Sequence, residues 1–112
     1  IEGRDDEMIV SGGENVFPRE VEDCLADLEG IAEVAVIGVA DSEFGQRLAA
    51  FVVLEAGVSL SEADLGAHVK ANLASYKTPR EIEFIEELPR NATGKVLKRE
   101  LHDRQASGRE AQ

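Results

Sequence analysis

The chain has 112 residues, enough for one small domain with a single core. Hydrophobic residues make up 43% and aromatics only 4%, with no Trp, so the core must come mostly from Val, Leu, Ile and Ala. A formal net charge of −11 argues against non-specific nucleic-acid binding and against an anionic membrane surface as partner, since both need a basic face.

No apolar run approaches the ~20 residues of a membrane span. The one cysteine, Cys24, allows no internal disulfide and falls inside an apolar helical pattern, which suits a core position better than a reactive one. The opening Ile1-Glu2-Gly3-Arg4 matches the recognition site of a protease used to cut fusion tags, so residues 1–4 are expected to be a tag or linker remnant. The chain reads as a piece of something longer.

Met8-Ile9-Val10 follows an acidic triplet and reads as a short strand. Ser11-Gly12-Gly13-Glu14-Asn15 is a loop, because paired glycines let the backbone take positive φ or lie close against a ligand. Val16-Phe17 reads as a strand returning beside the first. Pro18 suits the first position of a helix, with Glu20 and Glu22 near its positive end. Val21, Leu25 and Leu28 give that helix its apolar face, and Gly30 closes it.

Val34 to Ala40 is rich in β-branched residues and reads as a strand. Leu48 to Leu54 is nearly all apolar, as in a central strand covered on both faces. Ser61 and Asp64 form a capping-box pattern, followed by a helix with Leu65, Val69 and Leu73 as its buried stripe. His68 lies beside that stripe, where a packed histidine is expected rather than a metal ligand, since no other ligand type is spaced to join it. Tyr76-Lys77-Thr78-Pro79 is a break. Ile82 to Ile85 reads as a short strand towards an edge.

Leu88 to Leu101 carries the sharpest local pattern. Pro89 and Gly94 bracket a polar turn, Lys95 stands at its tip, and Val96, Leu97 and Leu101 can dock a last helix ending near Arg104. Charge is uneven here: residues 90–104 hold five basic residues against two acidic ones. That end suits a phosphate-bearing ligand although the rest of the chain does not. Residues 105–112 read as a flexible polar tail. The expected fold is α+β, a small three-stranded sheet with helices packed against it, preceded by a short β-hairpin.

Two motifs stand at opposite ends of this pattern. The first runs Gly3-Arg4-Asp5-Asp6-Glu7-Met8-Ile9-Val10-Ser11-Gly12-Gly13-Glu14-Asn15-Val16-Phe17-Pro18. The second runs Leu88-Pro89-Arg90-Asn91-Ala92-Thr93-Gly94-Lys95-Val96-Leu97-Lys98-Arg99. Together they closely resemble the opening and closing motifs of the C-terminal lid domain of adenylate-forming enzymes, a superfamily of acyl-CoA synthetases, peptide-synthetase adenylation domains and luciferases. The form SGGENVFP is most similar to fatty-acyl and aryl-acyl CoA ligases. The resemblance covers nearly the whole chain, with residues 5–104 as the lid domain and residues 1–4 as a possible native segment beside the hinge.

That resemblance implies an acid–thiol ligase of fatty-acid or lipid metabolism. A carboxylate and ATP (with Mg) give an acyl-adenylate, and CoA then gives the thioester and AMP. The partners implied are an N-terminal domain in cis, which binds most of the ATP and CoA, and the acyl-adenylate itself. By position, Lys95 matches the catalytic lysine and Asp6 the hinge. Gly12, Gly13 and Glu14 match the loop that lines the pantetheine path. Arg4 matches a contact to the adenylate ribose, and Lys98 and Arg99 are candidates for the CoA phosphates. No metal ligand is implied in this domain, and the implied setting is cytoplasmic, with peripheral membrane association of the whole enzyme as an option. Two other readings stand beside this one: a lid that loads a carrier-protein phosphopantetheine, and a stand-alone binding module without chemistry. Neither the acyl substrate nor the oligomeric state can be read from these residues.

The turn is no nucleotide P-loop, because Lys95 is followed by Val96 and position 89 is Pro.

Overall fold

A computed structural model describes residues 8–43 and 45–110, with side chains as far as Arg104. Arg4 and Asp6 lie outside the described residues.

Strands β1 (Ile9–Ser11) and β2 (Glu14–Val16) pair antiparallel, with Ser11 opposite Glu14. Only Gly12 and Gly13 remain for the turn, at φ 60° and 84°. Two consecutive positive φ values are what a type I′ hairpin needs, and non-glycine residues adopt them reluctantly. Helix α1 (Pro18–Ala26) starts with its proline in the first turn, as expected, and buries Val21 and Leu25. Strands β3 (Ile31–Asp41) and β4 (Gly45–Leu54) form a long antiparallel pair.

Helix α2 (Glu62–Asn72) begins with the expected capping box. The Ser61 N–H donates to Asp64 Oδ2 at 2.9 Å, and the Asp64 N–H donates to Ser61 Oγ at 3.2 Å. A 3-10 turn (Ser75–Lys77) leads into β5 (Glu81–Phe84). This strand runs parallel to β4, as a crossover through a helix allows. Helix α3 (Lys98–Glu110) continues past Arg104, where the sequence pattern places its end.

The sheet is larger than the three strands expected. Its strand order is β2-β1-β4-β3, and β5 shares the free side of β4 with β1. The hairpin joins the same sheet through the register pair Ser11–Gly45 and through the Gln46 side chain, whose Oε1 accepts from the Val10 N–H at 2.9 Å. Ile9 rests over Gly38 of β3, where an added Cβ would come within 2.8 Å of Ile9 Cγ1. The hairpin is therefore packed onto the body of the domain.

Strand alternation sorts the core into two clusters. Val36, Leu48, Ala50 and Val52 face α1 and α2, packing on Val21, Leu25, Leu65 and Val69. Ala35, Ile37, Val39, Ala49 and Phe51 face the C-terminal segment, packing on Leu88, Val96 and Leu101. β4 is thus covered on both faces, which is why its sequence is a continuous apolar run. β3 is an edge strand, and its edge is answered by Glu22: the carboxylate accepts from the Val36 N–H at 2.8 Å and from Lys98 Nζ at 2.7 Å. One side chain of α1 therefore ties together α1, β3 and α3.

His68 sits as expected, half-buried with Nε2 2.9 Å from the Cys24 carbonyl, joining α2 to α1. Burial, followed by the carboxylates of Asp27 and Glu20, pushes the Cys24 thiol pKa up and makes it a poor nucleophile. Among the described residues, no helix is long and apolar enough to cross a membrane.

Candidate functional site

Lys95 is exposed on a turn whose two legs enter the core. Leu88 before it is buried, Val96 after it is half-buried against the same cluster, and Arg90 and Val96 form an isolated antiparallel bridge. The Leu97 N–H donates to the Pro89 carbonyl at 2.9 Å, closing the base of the turn.

The tip is organised by one side chain. Asn91 Oδ1 accepts from the Thr93 N–H at 2.9 Å, from Thr93 Oγ1 at 2.7 Å and from the Lys95 N–H at 3.0 Å. The Asn91 N–H in turn donates to the Lys95 carbonyl at 3.0 Å. Such local side-chain-to-backbone bonds are why Asn is favoured in turns. Gly94, at φ 91°, reverses the chain just before the lysine. The result is a cation presented at the surface from a hydrogen-bonded base.

Gly12, Gly13 and Glu14 form the tip of the β1–β2 hairpin and are all exposed. A Cβ built on Gly13 would meet nothing within 4 Å, so the space in front of that glycine is open. Gly12 and Glu14 line a cleft of about 490 Å³ with Lys70, Tyr76, Thr78 and Arg80. Of the described residues, Thr78 Oγ1 is the buried side-chain polar atom that lacks a hydrogen-bond partner. This cleft offers a narrow glycine wall, two cations and an aromatic ring. No local signal in the sequence marks Lys70, Tyr76, Thr78 and Arg80 as lining a site. The Tyr76–Pro79 break was visible, but nothing local says that the glycine turn folds against it.

Lys98 and Arg99 lie elsewhere. They line a second groove of about 410 Å³ with Met8, Ile9, Gly38 and His102. Lys98 is committed to Glu22, with both side chains 19% exposed. The structure therefore brings Gly12 and Glu14 together with Lys70 and Arg80, and places Lys98 and Arg99 in a different groove.

With this geometry in view, the comparisons with known proteins are specific. The AMP-binding enzyme C-terminal domain profile matches residues 20–95, and the chain belongs to that family. The 4-chlorobenzoate–CoA ligase of Pseudomonas sp. (strain CBS-3) is 52% identical over 100 residues, covering 88% of this chain and 19% of that protein. The fatty acid–acyl-carrier-protein ligase ScoC of Streptomyces coeruleorubidus is 43% identical over 104 residues, covering 93% and 20%. Among solved structures, a Mycobacterium tuberculosis fatty acyl CoA synthetase superposes with a TM-score of 0.85 at 41% identity, covering 91% of this chain and 20% of that one. The chain thus spans about a fifth of the length of the curated relatives it matches.

Proposed function

We propose that this domain is the mobile cap of an ATP-dependent acid–thiol ligase acting on a fatty-acyl or related carboxylate in the cytoplasm. The observation that carries this reading is the pairing, in one small domain, of a pinned turn presenting Lys95 with an open glycine turn beside a cationic cleft.

Each turn suits one half-reaction. In the first, a carboxylate oxygen attacks the α-phosphorus of ATP and pyrophosphate leaves. Negative charge gathers on the oxygens in flight, and an ammonium brought there by the cap stabilises it most once water is excluded. In the second, a thiol attacks the acyl carbon and AMP leaves with the bonding pair. The glycine turn then gives the pantetheine arm a wall without side chains, and Lys70 and Arg80 suit its phosphates. One cap serves both steps only by turning, with Asp6 as the residue that absorbs the rotation. The N-terminal domain supplies the acyl pocket and most of the ATP site, and a magnesium ion accompanies the nucleotide. The isolated chain is expected to be inactive, measured as no ATP–pyrophosphate exchange.

The test uses the whole enzyme and whichever of octanoate and benzoate the wild type turns over. Lys95→Ala should lower pyrophosphate exchange by about 10²–10³-fold, while thioester formation from supplied acyl-adenylate persists. Equal loss in both half-reactions would refute the role of Lys95. Asp6→Pro should slow the second half-reaction more than the first by stiffening the hinge, and unchanged thioester formation would refute that role.

A second reading has a specific observation behind it: ScoC is named for a carrier-protein acceptor. Supplying CoA and a phosphopantetheinylated carrier protein in parallel separates the two. We expect CoA to be the better acceptor.

A further inference from the structure

Lys95 is joined to Gly94 by a single planar peptide, and both polar ends of that peptide are held. Its N–H, on Lys95, donates to Asn91 Oδ1 at 3.0 Å. Its carbonyl, on Gly94, accepts from Arg90 Nη1 at 2.8 Å. A peptide plane fixed at both ends restricts the direction in which the Lys95 Cα–Cβ bond leaves the backbone. Arg90 is itself held from outside the turn, because its Nη2 donates to Glu33 Oε1.

Glu33 is 57 positions away in sequence and belongs to neither motif. It is half-buried at the start of β3, where the register with β4 shifts between Ile31 and Glu33. The shift lies on the Ile31 side, and from Glu33 to Asp41 the register with β4 is continuous. Beyond it, Ala35, Ile37 and Val39 take up the regular alternation and face the C-terminal segment. Glu33 falls on that same alternation, under the turn.

We propose that Glu33, acting through Arg90, is a positioning residue for Lys95 in the adenylation step. The inference rests on the reading of Lys95 given above. As a contribution to folding the contact is minor, since Arg90 and Glu33 side chains are 39% and 38% exposed and such pairs stabilise little. As a geometric device it matters more. The rigid guanidinium fork spans Glu33 and the Gly94 carbonyl at once, so the sheet fixes the plane from which the lysine departs. Small displacements of a catalytic group are costly even when stability barely changes.

The experiment is a double-mutant cycle in the whole enzyme, with the same acids as above. Glu33→Ala is expected to lower the kcat of pyrophosphate exchange about tenfold, leave thioester formation from supplied acyl-adenylate within about twofold, and hardly move the melting temperature. Arg90→Ala should give a similar loss, and the double variant no more than the larger single loss, because the two act as one unit. Glu33→Gln keeps an acceptor at the same place and should recover part of the rate. It also carries the test if the alanine variant fails to fold. Exchange within about twofold of wild type in Glu33→Ala, equal loss in both half-reactions, or additive losses in the cycle would each overturn the proposal. Lys95→Ala, run in parallel, separates the two levels. If it leaves exchange intact, the function proposed for Lys95 fails. If it abolishes exchange while Glu33→Ala does not reduce it, only the positioning role fails.

Discussion

The turn at Gly12–Gly13 and the turn at Asn91–Lys95 are both exposed, and the chain shapes them by different means. The glycine turn takes its form from two positive φ values and leaves the space before Gly13 empty. The lysine turn has one positive-φ glycine, Gly94, and is otherwise shaped by side chains: Asn91 gathers three donors, Arg90 holds the Gly94 carbonyl, and Leu88 and Val96 anchor the legs. A site that offers backbone to a slender ligand needs the absence of side chains. A site that delivers one charge to a reacting centre needs a fixed point of departure, and side chains supply it.

The comparison breaks most visibly if each turn is given the other's property. Gly13→Val puts a β-branched side chain at φ 84° and into the open space beside the cleft. The strain should cost roughly 1–2 kcal/mol of stability, read as a lower denaturation midpoint. On the proposed function, in which the thiol arm alone uses that wall, the second half-reaction should fall by about tenfold or more and the first much less. A variant that lost both half-reactions equally would show that the glycines serve folding alone.

Asn91→Ala is the smaller, complementary change. It removes the acceptor shared by Thr93 and Lys95, while Arg90 and the Leu88 and Val96 anchors remain. Asn91 is exposed, so the loss in stability should be about 1 kcal/mol or less. Adenylation should drop several-fold and thioester formation stay unchanged, measured as the same two half-reactions. No change in adenylation would mean that the backbone bridge between Arg90 and Val96 is sufficient by itself.

Both turns were legible in the sequence. Each is written in a contiguous motif whose residues meet local needs: glycine for positive φ, Asn for a turn, Pro and Gly as breaks. The capping box at Ser61 and the proline opening α1 are local in the same way, and they form as the sequence suggests. What the sequence concealed is non-local. Glu33 shares the strand alternation of Ala35, Ile37 and Val39, but no spacing rule says that the turn bearing Arg90, 57 positions on, packs over it. Lys70 and Arg80 reach the glycine turn only because β1 and β5 share one side of β4. The basic run near α3 is conspicuous in sequence, yet its Lys98 is taken up by Glu22. Charge density along a chain says little about which cation faces a ligand when the partner lies on another element.

Each turn has an ion pair behind it. At the lysine turn it is Arg90–Glu33. At the glycine cleft it is Lys77–Glu20, 2.7 Å apart, which fastens the 3-10 turn beside Tyr76 to α1. The Glu20 hydrogen bond is the main cause that raises the Lys77 pKa above its ordinary 10.5. A raised lysine pKa favours the folded state at every pH below the unfolded value, and this contribution fades as pH climbs through the higher folded value. Lys77→Met keeps most of the apolar stem and removes the charge. It should therefore lower the stability slightly at neutral pH, by about 1 kcal/mol or less for a part-buried surface pair. The difference from wild type should fade as pH rises beyond 10.5 and through the raised folded-state value. Thioester formation should fall with it if the pair holds the cleft wall in place as Arg90–Glu33 holds the lysine peptide, and adenylation should not. A stability difference that persisted undiminished into that alkaline range would assign the effect to the packing of the stem, leaving the lysine turn as the one of the two that depends on an ion pair for its shape.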